Sequence, residues 1–331
     1  MLGKDIGIDL GTANVLIYIK GQGIVLNEPS IVALETDTNR IVAVGTEAKE
    51  MLGRTPGKIK AIKPMKDGVI ADFDATEIML NSFIRKIKVR NLFIRPRILI
   101  CCPTNITPVE KNAIKEAAER TGARKVYIEE EPKVAAIGAG LDISKPLANM
   151  IIDIGGGTTD IAILSLNGIV SSSSIRLAGN SFDQDIINYI REQYKLLIGE
   201  KTAEEIKMAF VNVFKPSKKK KREIRGRSLI TGLPQAIEVT QEEISLALLP
   251  SLNRIIKETA KLLEEIDPEL SSDIVEKGIV LTGGGSLVTG LLDVFKQELK
   301  VPVLIASSPL TCVAEGTGIL LDNLKMLEES R

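Results

Sequence analysis

No histidine occurs among the 331 residues. That absence removes the Ser-His-Asp and Cys-His catalytic arrangements, and with them most zinc sites. Chemistry on this chain falls to carboxylates, hydroxyls, lysines, backbone amides or a hard metal ion. Cysteine is nearly as scarce: three residues, of which Cys101 and Cys102 are adjacent and Cys312 stands alone. So few thiols build no disulfide framework, and a reducing compartment is expected. Net charge is missing as well. Lys+Arg and Asp+Glu both number 43, so no overall field draws the chain to nucleic acid or to a membrane, and any such attraction has to be local. No apolar run approaches the roughly 20 residues that cross a bilayer. The start, Met1-Leu2-Gly3-Lys4-Asp5, lacks the charged-then-apolar layout of a signal peptide. A cytoplasmic protein is expected.

What is present is an ordinary globular composition, 44% hydrophobic and 26% charged, on a length that suggests about two domains. In the first half, apolar strands are expected at Ile6–Leu10, Val15–Ile19, Gly23–Leu26, Ile31–Leu34, Ile41–Val44, Ile98–Cys102 and Val126–Ile128. The spacing of Ile78, Leu80, Phe83, Ile84 and Ile87 predicts a helix over Thr76–Ile87. Thr107-Pro108-Val109-Glu110 is a helix start, and Gly122 ends that helix. Glu131–Gly140 carries the small residues Ala135, Ala136, Gly138 and Ala139, which suit a closely packed helix. The second half predicts strands at Met150–Ile154 and Ile161–Leu164, with Ile279–Leu281 as the last clear one. Capping boxes are expected at Thr202–Glu205 and Thr240–Glu243, and Pro250 breaks or kinks the helix begun at Thr240.

One pattern occurs twice. A strand, an Asp, a glycine turn, a Thr and a returning strand run through Ile8-Asp9-Leu10-Gly11-Thr12 and again through Asp153-Ile154-Gly155-Gly156-Gly157-Thr158. Two copies argue for duplicated lobes, each a sheet with flanking helices. A glycine turn after a strand lets backbone N–H groups converge on a phosphate with no Cβ in the way. Carboxylates beside phosphates make sense when a hydrated magnesium ion lies between them, so Asp9 and Asp153 are the magnesium-side candidates, acting through water. Either turn alone reads as a tight hairpin with a capping Asp; repeated with the same Asp offset, phosphate binding is the better reading. A third glycine turn, Thr282-Gly283-Gly284-Gly285-Ser286, stands between a strand and a helix. Alone it could serve packing only. As a third member it fits the purine and α-phosphate end of a nucleotide.

The order of these pieces resembles the actin superfamily, which includes actin, chaperone ATPases and sugar kinases. Its five segments match Ile8–Asn14 (first phosphate loop), Glu131–Gly140 (first connecting helix), Ile152–Asp160 (second phosphate loop), Val280–Leu287 (adenosine motif) and Leu310–Leu320 (second connecting helix). Within that group the chain resembles the MreB family of bacterial actin homologues. The match is carried by Gly7-Ile8-Asp9-Leu10-Gly11-Thr12-Ala13-Asn14, Pro64-Met65-Lys66-Asp67-Gly68-Val69-Ile70-Ala71-Asp72 and Thr231-Gly232-Leu233-Pro234, and it runs nearly end to end. The resemblance implies an α/β, actin-like fold of two duplicated RNase H-like lobes with a nucleotide cleft between them. Lobe I would take residues 1–145 plus 312–331, with a small subdomain at about 33–65; lobe II would take 146–311, with a small subdomain at about 181–240. It also implies ATP or ADP with Mg2+, slow hydrolysis, and homopolymer filaments that govern cell shape or motility. The implied partners are the chain itself, an anionic membrane surface and other cytoskeletal or membrane proteins, with no nucleic acid. The implied location is the cytoplasm at the inner face of the cell membrane.

Residue by residue, the resemblance gives Thr12, Ala13 and Asn14, with Gly155, Gly156, Gly157 and Thr158, to the β- and γ-phosphates. Gly179 and Asp183 join the nucleotide set, Glu204 and Lys207 reach the ribose and base, and Gly283, Gly284, Gly285, Ser286 and Leu287 wall the adenine. Glu131 corresponds to the residue that positions the attacking water, and Thr158 to its partner. Such a role is reasonable chemically: without histidine, a carboxylate must orient water in line with the γ-phosphate while metal and amides stabilise charge. Two other readings stay open from the residues alone. Glu129-Glu130-Glu131 could be a solvated acidic run, and Glu204 with Lys207 a surface i,i+3 ion pair. Asp160 departs from the pattern, standing where MreB relatives usually carry Glu; its shorter carboxylate puts hydrolysis and subunit contacts in question.

A membrane contact is expected at Leu92, Phe93 and Ile94, apolar tips among Lys86, Lys88, Arg90, Arg95 and Arg97. Each nearby cation contributes about 1 kcal/mol at an anionic surface, and MreB relatives place a hydrophobic loop here. The alternative is the buried start of a strand. The run Lys218–Arg222 reads as a solvated loop, with membrane or acidic-partner attachment as the other possibility. An actin-fold small-molecule kinase and a non-hydrolysing ATP-braced filament protein are the competing functions. The kinase needs a sugar-binding base for which the sequence offers no candidate. A chaperone ATPase is not expected, because only about ten residues follow Leu320.

Overall fold

The strand Ile6–Leu10 is apolar along almost its whole length because it lies at the centre of a sheet covered on both faces. The computed structural model describes residues 5–87 and 95–323. In it the first five-stranded sheet has the order Lys125–Glu130, Arg97–Cys102, Ile6–Leu10, Asn14–Ile19, Gly23–Pro29. The second has the order Val303–Ile305, Ile279–Thr282, Asn149–Ile154, Thr159–Ser165, Gly168–Ile175. The connectivity is the same in both. In each, a central strand pairs antiparallel with the strand that follows it and parallel with a later one. The repeat read from the sequence is therefore a repeat of topology. Both central strands end at a glycine turn, on the same edge of their sheets.

Two helices tie the sheets together. Glu131–Gly138 leaves the first sheet and leads towards the second, and Cys312–Asp322 returns from the second to pack on the first. They meet backbone to backbone. A Cβ on Gly138 would strike the Cys312 carbonyl and lie 2.8 Å from Gly316 N, and one on Gly316 would strike the Val134 carbonyl. Further along the second helix, Gly318 lies flat against the Tyr18 ring, and Thr317 fills the space that a side chain on Gly7 would need. The small residues of both helices are what let the axes approach this closely.

Several local expectations need correction. The helix expected over Thr76–Ile87 begins earlier, at Phe73, because Asp72 accepts a hydrogen bond from Ala75 N at 3.0 Å and caps it. Thr202 and Glu205 form no capping box: they lie inside the helix Glu200–Phe210, whose cap position is Gly199. The box at Thr240 does form, with Thr240 Oγ1 donating to Glu243 Oε2 at 2.6 Å. Pro250 marks a break, since one helix ends at Ala247 and the next, Leu249–Glu264, carries that proline in its first turn. Ile279–Thr282 is followed by one more strand, Val303–Ile305. Lys221 and Arg222 belong to the strand Lys221–Ser228, so the basic run is only partly a loop. Cys101, Cys102 and Cys312 are free and buried. Among the described residues no helix is long and apolar enough to cross a membrane.

The helix crossing yields a direct test. Gly316→Val forces the two backbones apart and is expected to cost about 3 kcal/mol by overpacking. Gly57→Val, where an added Cβ meets nothing within 4 Å, is expected to change little. Denaturant melts of the two variants check this; equal melts would contradict the crossing.

Candidate functional site

The first glycine turn closes where the strand Ile6–Leu10 reverses into Asn14–Ile19. A side chain on Gly11 would sit 2.6 Å from the Asn14 carbonyl, so only glycine fits. Ser30 braces the turn, its hydroxyl donating to Gly11 O at 2.6 Å and its amide to Ala13 O at 2.9 Å. The second turn reverses Asn149–Ile154 into Thr159–Ser165 and is closed by Gly155 N donating to Thr158 O at 2.9 Å. The two turns touch. A Cβ on Gly156 would lie 2.6 Å from Ala13 Cβ, and one on Gly157 would lie 2.5 Å from Thr12 Oγ1. The helix Gly179–Tyr194 starts against the second turn, with Gly179 N donating to Gly155 O at 3.1 Å and Asn180 N to Gly156 O at 2.8 Å. From the first lobe, Gly68 N donates to Thr12 Oγ1 at 2.9 Å, and its Cα faces Thr158 and Pro103. The segment Pro64–Asp72 thus has a structural task at this junction, which its sequence alone did not disclose.

Beneath the turns lie four carboxylates, Asp9, Glu131, Asp153 and Asp160. Strand register sets Asp153 directly opposite Asp160, an arrangement in which like charges repel. Burial is the main influence on all four and pushes each upward. Asp9 rises to about 7. Glu131 and Asp153 go well above the usual carboxylate range, by burial first and then by the charges of their acidic neighbours. Asp160 is raised by burial but opposed by donors, the Thr104 amide at 3.2 Å and the hydroxyls of Ser174, Thr158 and Thr104. Glu131 is therefore no solvated acidic run; within that run Glu129 instead pairs with Lys133 at 3.3 Å. Asp153 Oδ2 is buried with no hydrogen-bond partner. An oxygen in that state fits a group that brings positive charge or protons. Among the described residues no three side chains converge well enough to hold a metal unaided. The donor set therefore suits an ion that keeps waters and takes phosphate oxygens as ligands, which is the habit of magnesium.

A family model described as MreB/Mbl protein matches residues 3–329. The chain belongs to the MreB/Mbl family. Cell shape-determining protein Mbl of Bacillus subtilis (strain 168) is 56% identical over 331 residues, spanning 100% of this chain and 99% of that protein. A crystal structure of MreB5 of Spiroplasma citri bound to AMPPNP superposes with a TM-score of 0.94 at 42% identity, covering 100% of this chain and 99% of that one. The MamK double helical filament superposes with a TM-score of 0.82 at 23% identity over 96% of this chain and 98% of that one, a likeness of fold. The fold is the two-lobed actin-like one.

In this family frame the third glycine turn packs against the second. Gly283, at φ +79°, faces Asp153 Oδ1 and the Ile154 carbonyl, and a Cβ on Gly285 would lie 2.9 Å from the same carbonyl. Ser286 is fully buried and donates to Gly283 O at 2.6 Å, so its hydroxyl closes the turn. Leu287 is half exposed, and Gly284 faces the Leu310 side chain. Glu204 and Lys207 do not pair with each other. Lys207 Nζ donates to Gly179 O at 2.8 Å and lies 2.9 Å from Asp183, at the start of the helix that abuts the second turn. Glu204 pairs with Lys49 at 3.0 Å, and one turn earlier Glu200 pairs with Lys63 at 2.5 Å, both contacts crossing from the first lobe. Sequence reasoning missed Lys49, Lys63 and Thr104, which nothing local marks. It noticed Asp160 only as a departure from the family pattern. Lys218 and Lys221 are paired with Glu242 and Glu238. Leu92, Phe93 and Ile94 lie outside the described residues.

The carboxylate cluster makes stability depend on pH in a definite direction. An unfolded Asp keeps a value of 3.8, whereas folded Asp9 holds its proton to about 7. Between those values the unfolded chain binds fewer protons than the folded one, so stability falls as pH rises through the window. Glu28, Glu110, Asp142 and Glu243 are shifted the other way, below their usual values, so their contribution is lost as pH falls and does not oppose the drop above pH 5. Thermal melts of metal-free, nucleotide-free protein are expected to drop from pH 5 to pH 7.5, with a shallower drop for Asp9→Asn. A wild-type melting temperature that climbs across this range would contradict the reading.

Proposed function

We propose that the chain is an actin-like cytoskeletal protein that binds ATP between its lobes, hydrolyses it slowly and polymerises into membrane-attached filaments that govern cell shape. The observation that carries this reading is the contact between the two glycine turns beside buried Asp153 and Asp160, with Asp9 and Glu131 partly buried next to them. AMPPNP in the S. citri MreB5 structure supports ATP as the ligand, and the B. subtilis Mbl relative supports cell shape as the role. The fold is one that MamK builds into a double helical filament.

On this proposal, Thr12, Ala13, Asn14 and Gly155 to Thr158 hold the β- and γ-phosphates with backbone amides and hydroxyls. Gly179, Asp183, Glu204 and Lys207 serve the ribose and base, and Gly283 to Leu287 border the adenine. Asp9 and Asp153 hold magnesium through water, and that ion supplies charge neutralisation at the phosphate oxygens. Glu131, partly buried beside Asp153, Asp160 and Asp9, is the water-orienting acceptor; burial and those charges raise its proton affinity, and a cation held beside it would favour its ionised form. Thr158 is its partner. Lobe I comprises residues 1–145 plus 312–331 and lobe II 146–311, each with its small subdomain. Leu92, Phe93 and Ile94 make the membrane contact, so the protein works at the inner face of the cell membrane.

Two measurements test the reading. Wild-type protein is expected to release phosphate from ATP, and Glu131→Ala to do so at least about 100-fold more slowly while AMPPNP still raises its melting temperature. Equal rates would remove Glu131 from the mechanism. Electron microscopy with ATP and anionic vesicles is expected to show wild-type filaments on the lipid and Phe93→Ser filaments detached from it. Phe93→Ser filaments still on the vesicles would refute the membrane contact.

A further inference from the structure

Two ion pairs span the cleft, and both run the same way. Lys49 Nζ lies 3.0 Å from Glu204 Oε2, and Lys63 Nζ lies 2.5 Å from Glu200 Oε2. Lys49 stands on the short helix Thr46–Met51, which packs on the small sheet of Ile41–Val44, Val32–Glu35 and Ile59–Ile62; Lys63 directly follows the last of these strands. Glu200 and Glu204 stand one turn apart on the helix Glu200–Phe210 and so share a face of it. Both cations thus come from the first lobe and both anions from the second. Among the described residues no hydrophobic cluster spans this junction. Ala48 and Met51 belong to a small cluster confined to residues 31–61, while Ala203, Ile206 and Phe210 belong to the core of the second lobe. The same helix carries Lys207, which reaches Gly179 O and Asp183 beside the second glycine turn. One helix therefore meets both the opposite lobe and the edge of that turn.

All four side chains keep more than a third of their surface in water, so each pair is weak and readily broken. Weak pairs of fixed polarity suit a device that has to open repeatedly. We propose that the two pairs form an electrostatic clasp across the cleft: bound nucleotide leaves when they part, and their strength sets its rate of release. In many enzymes an opening step of this kind, and not the chemistry, limits turnover. Lys63 and Glu200 lie outside the set of residues assigned to the nucleotide, so they act through the separation of the lobes alone. This inference rests on the reading given above, in which the nucleotide sits between the lobes.

The test is a charge-reversal cycle read by nucleotide release. Tritiated ADP is bound with magnesium to the full chain, kept below its assembly concentration, and chased with excess unlabelled ADP. Lys63→Glu and Glu200→Lys are each expected to release the label about two- to tenfold faster than wild type. The double variant, which restores an opposite pair, is expected within about twofold of wild type. Lys49→Glu is expected to act in the same direction as Lys63→Glu. Raising KCl from about 50 mM to about 500 mM is expected to bring each single variant's rate, relative to wild type, towards one, since salt screens exposed charges. Wild-type release rates in both single variants would overturn the proposal, as would effects that multiply in the double variant instead of cancelling. Should either reversal melt far below wild type, Lys63→Ala and Glu200→Ala take its place in the cycle. The two alanine variants and their double are then expected to share one raised rate, and a double faster than both would overturn the proposal. A wild type that retains no tritiated ADP would bring down the nucleotide reading and the clasp with it, whereas tight wild-type binding with unaltered variants would bring down the clasp alone.

Discussion

Gly156 and Gly157 face Ala13 and Thr12 at distances that leave no room for a Cβ on either glycine. Each turn is fixed by its own sheet: the first by Ser30 and the reversal into Asn14–Ile19, the second by the reversal into Thr159–Ser165. The sheets in turn are held in relation to each other by the crossing of Glu131–Gly138 over Cys312–Asp322, again through glycine. Close backbone approach thus governs the molecule at two levels, at the helices that set the lobes and at the turns the lobes bring together. A side chain at any of these glycines would widen the gap between lobes, and with it the spacing of amides on which a phosphate site depends.

That geometry has an electrostatic consequence. Bringing the ends of two like strands together also brings together the Asp that precedes each turn, and Glu131 and Asp160 join them. Burial and mutual repulsion disfavour their charged forms. The folded protein carries this strain in the one place where a cation and a polyphosphate would relieve it, and the orphaned Asp153 Oδ2 marks the spot. Local instability at a functional site, offset by well-packed sheets elsewhere, is a common division of labour in proteins. Cross-lobe pairs such as Lys49 with Glu204 and Lys63 with Glu200 are exposed, and such pairs contribute little to stability. They close the cleft without locking it.

Much of this was legible in the sequence, because the chemistry is written in short local strings. A strand, an Asp and a run of glycines need only a few consecutive residues, so the duplicated lobes and both turns could be read before any coordinates. Contacts between distant segments could not. Thr104 and Asp160 are 56 positions apart, and Lys49 and Glu204 are 155 apart, with no local pattern announcing either pair. Thr202 and Glu205 misled for the opposite reason: the local string matched a capping box, but the helix had already begun at Glu200. Val303–Ile305 escaped notice because three residues after a proline carry no alternation, and only pairing with Ile279–Thr282 makes them a strand.

The central claim is that one nucleotide is gripped from both lobes at once. Amide hydrogen exchange with and without magnesium and AMPPNP tests it most directly, because it reads backbone protection segment by segment. The account predicts that the amides of Thr12 to Asn14 and of Gly156 to Thr158 slow together, at the same ligand concentration. Protection confined to one turn, or absent from both at saturating ligand, would contradict it.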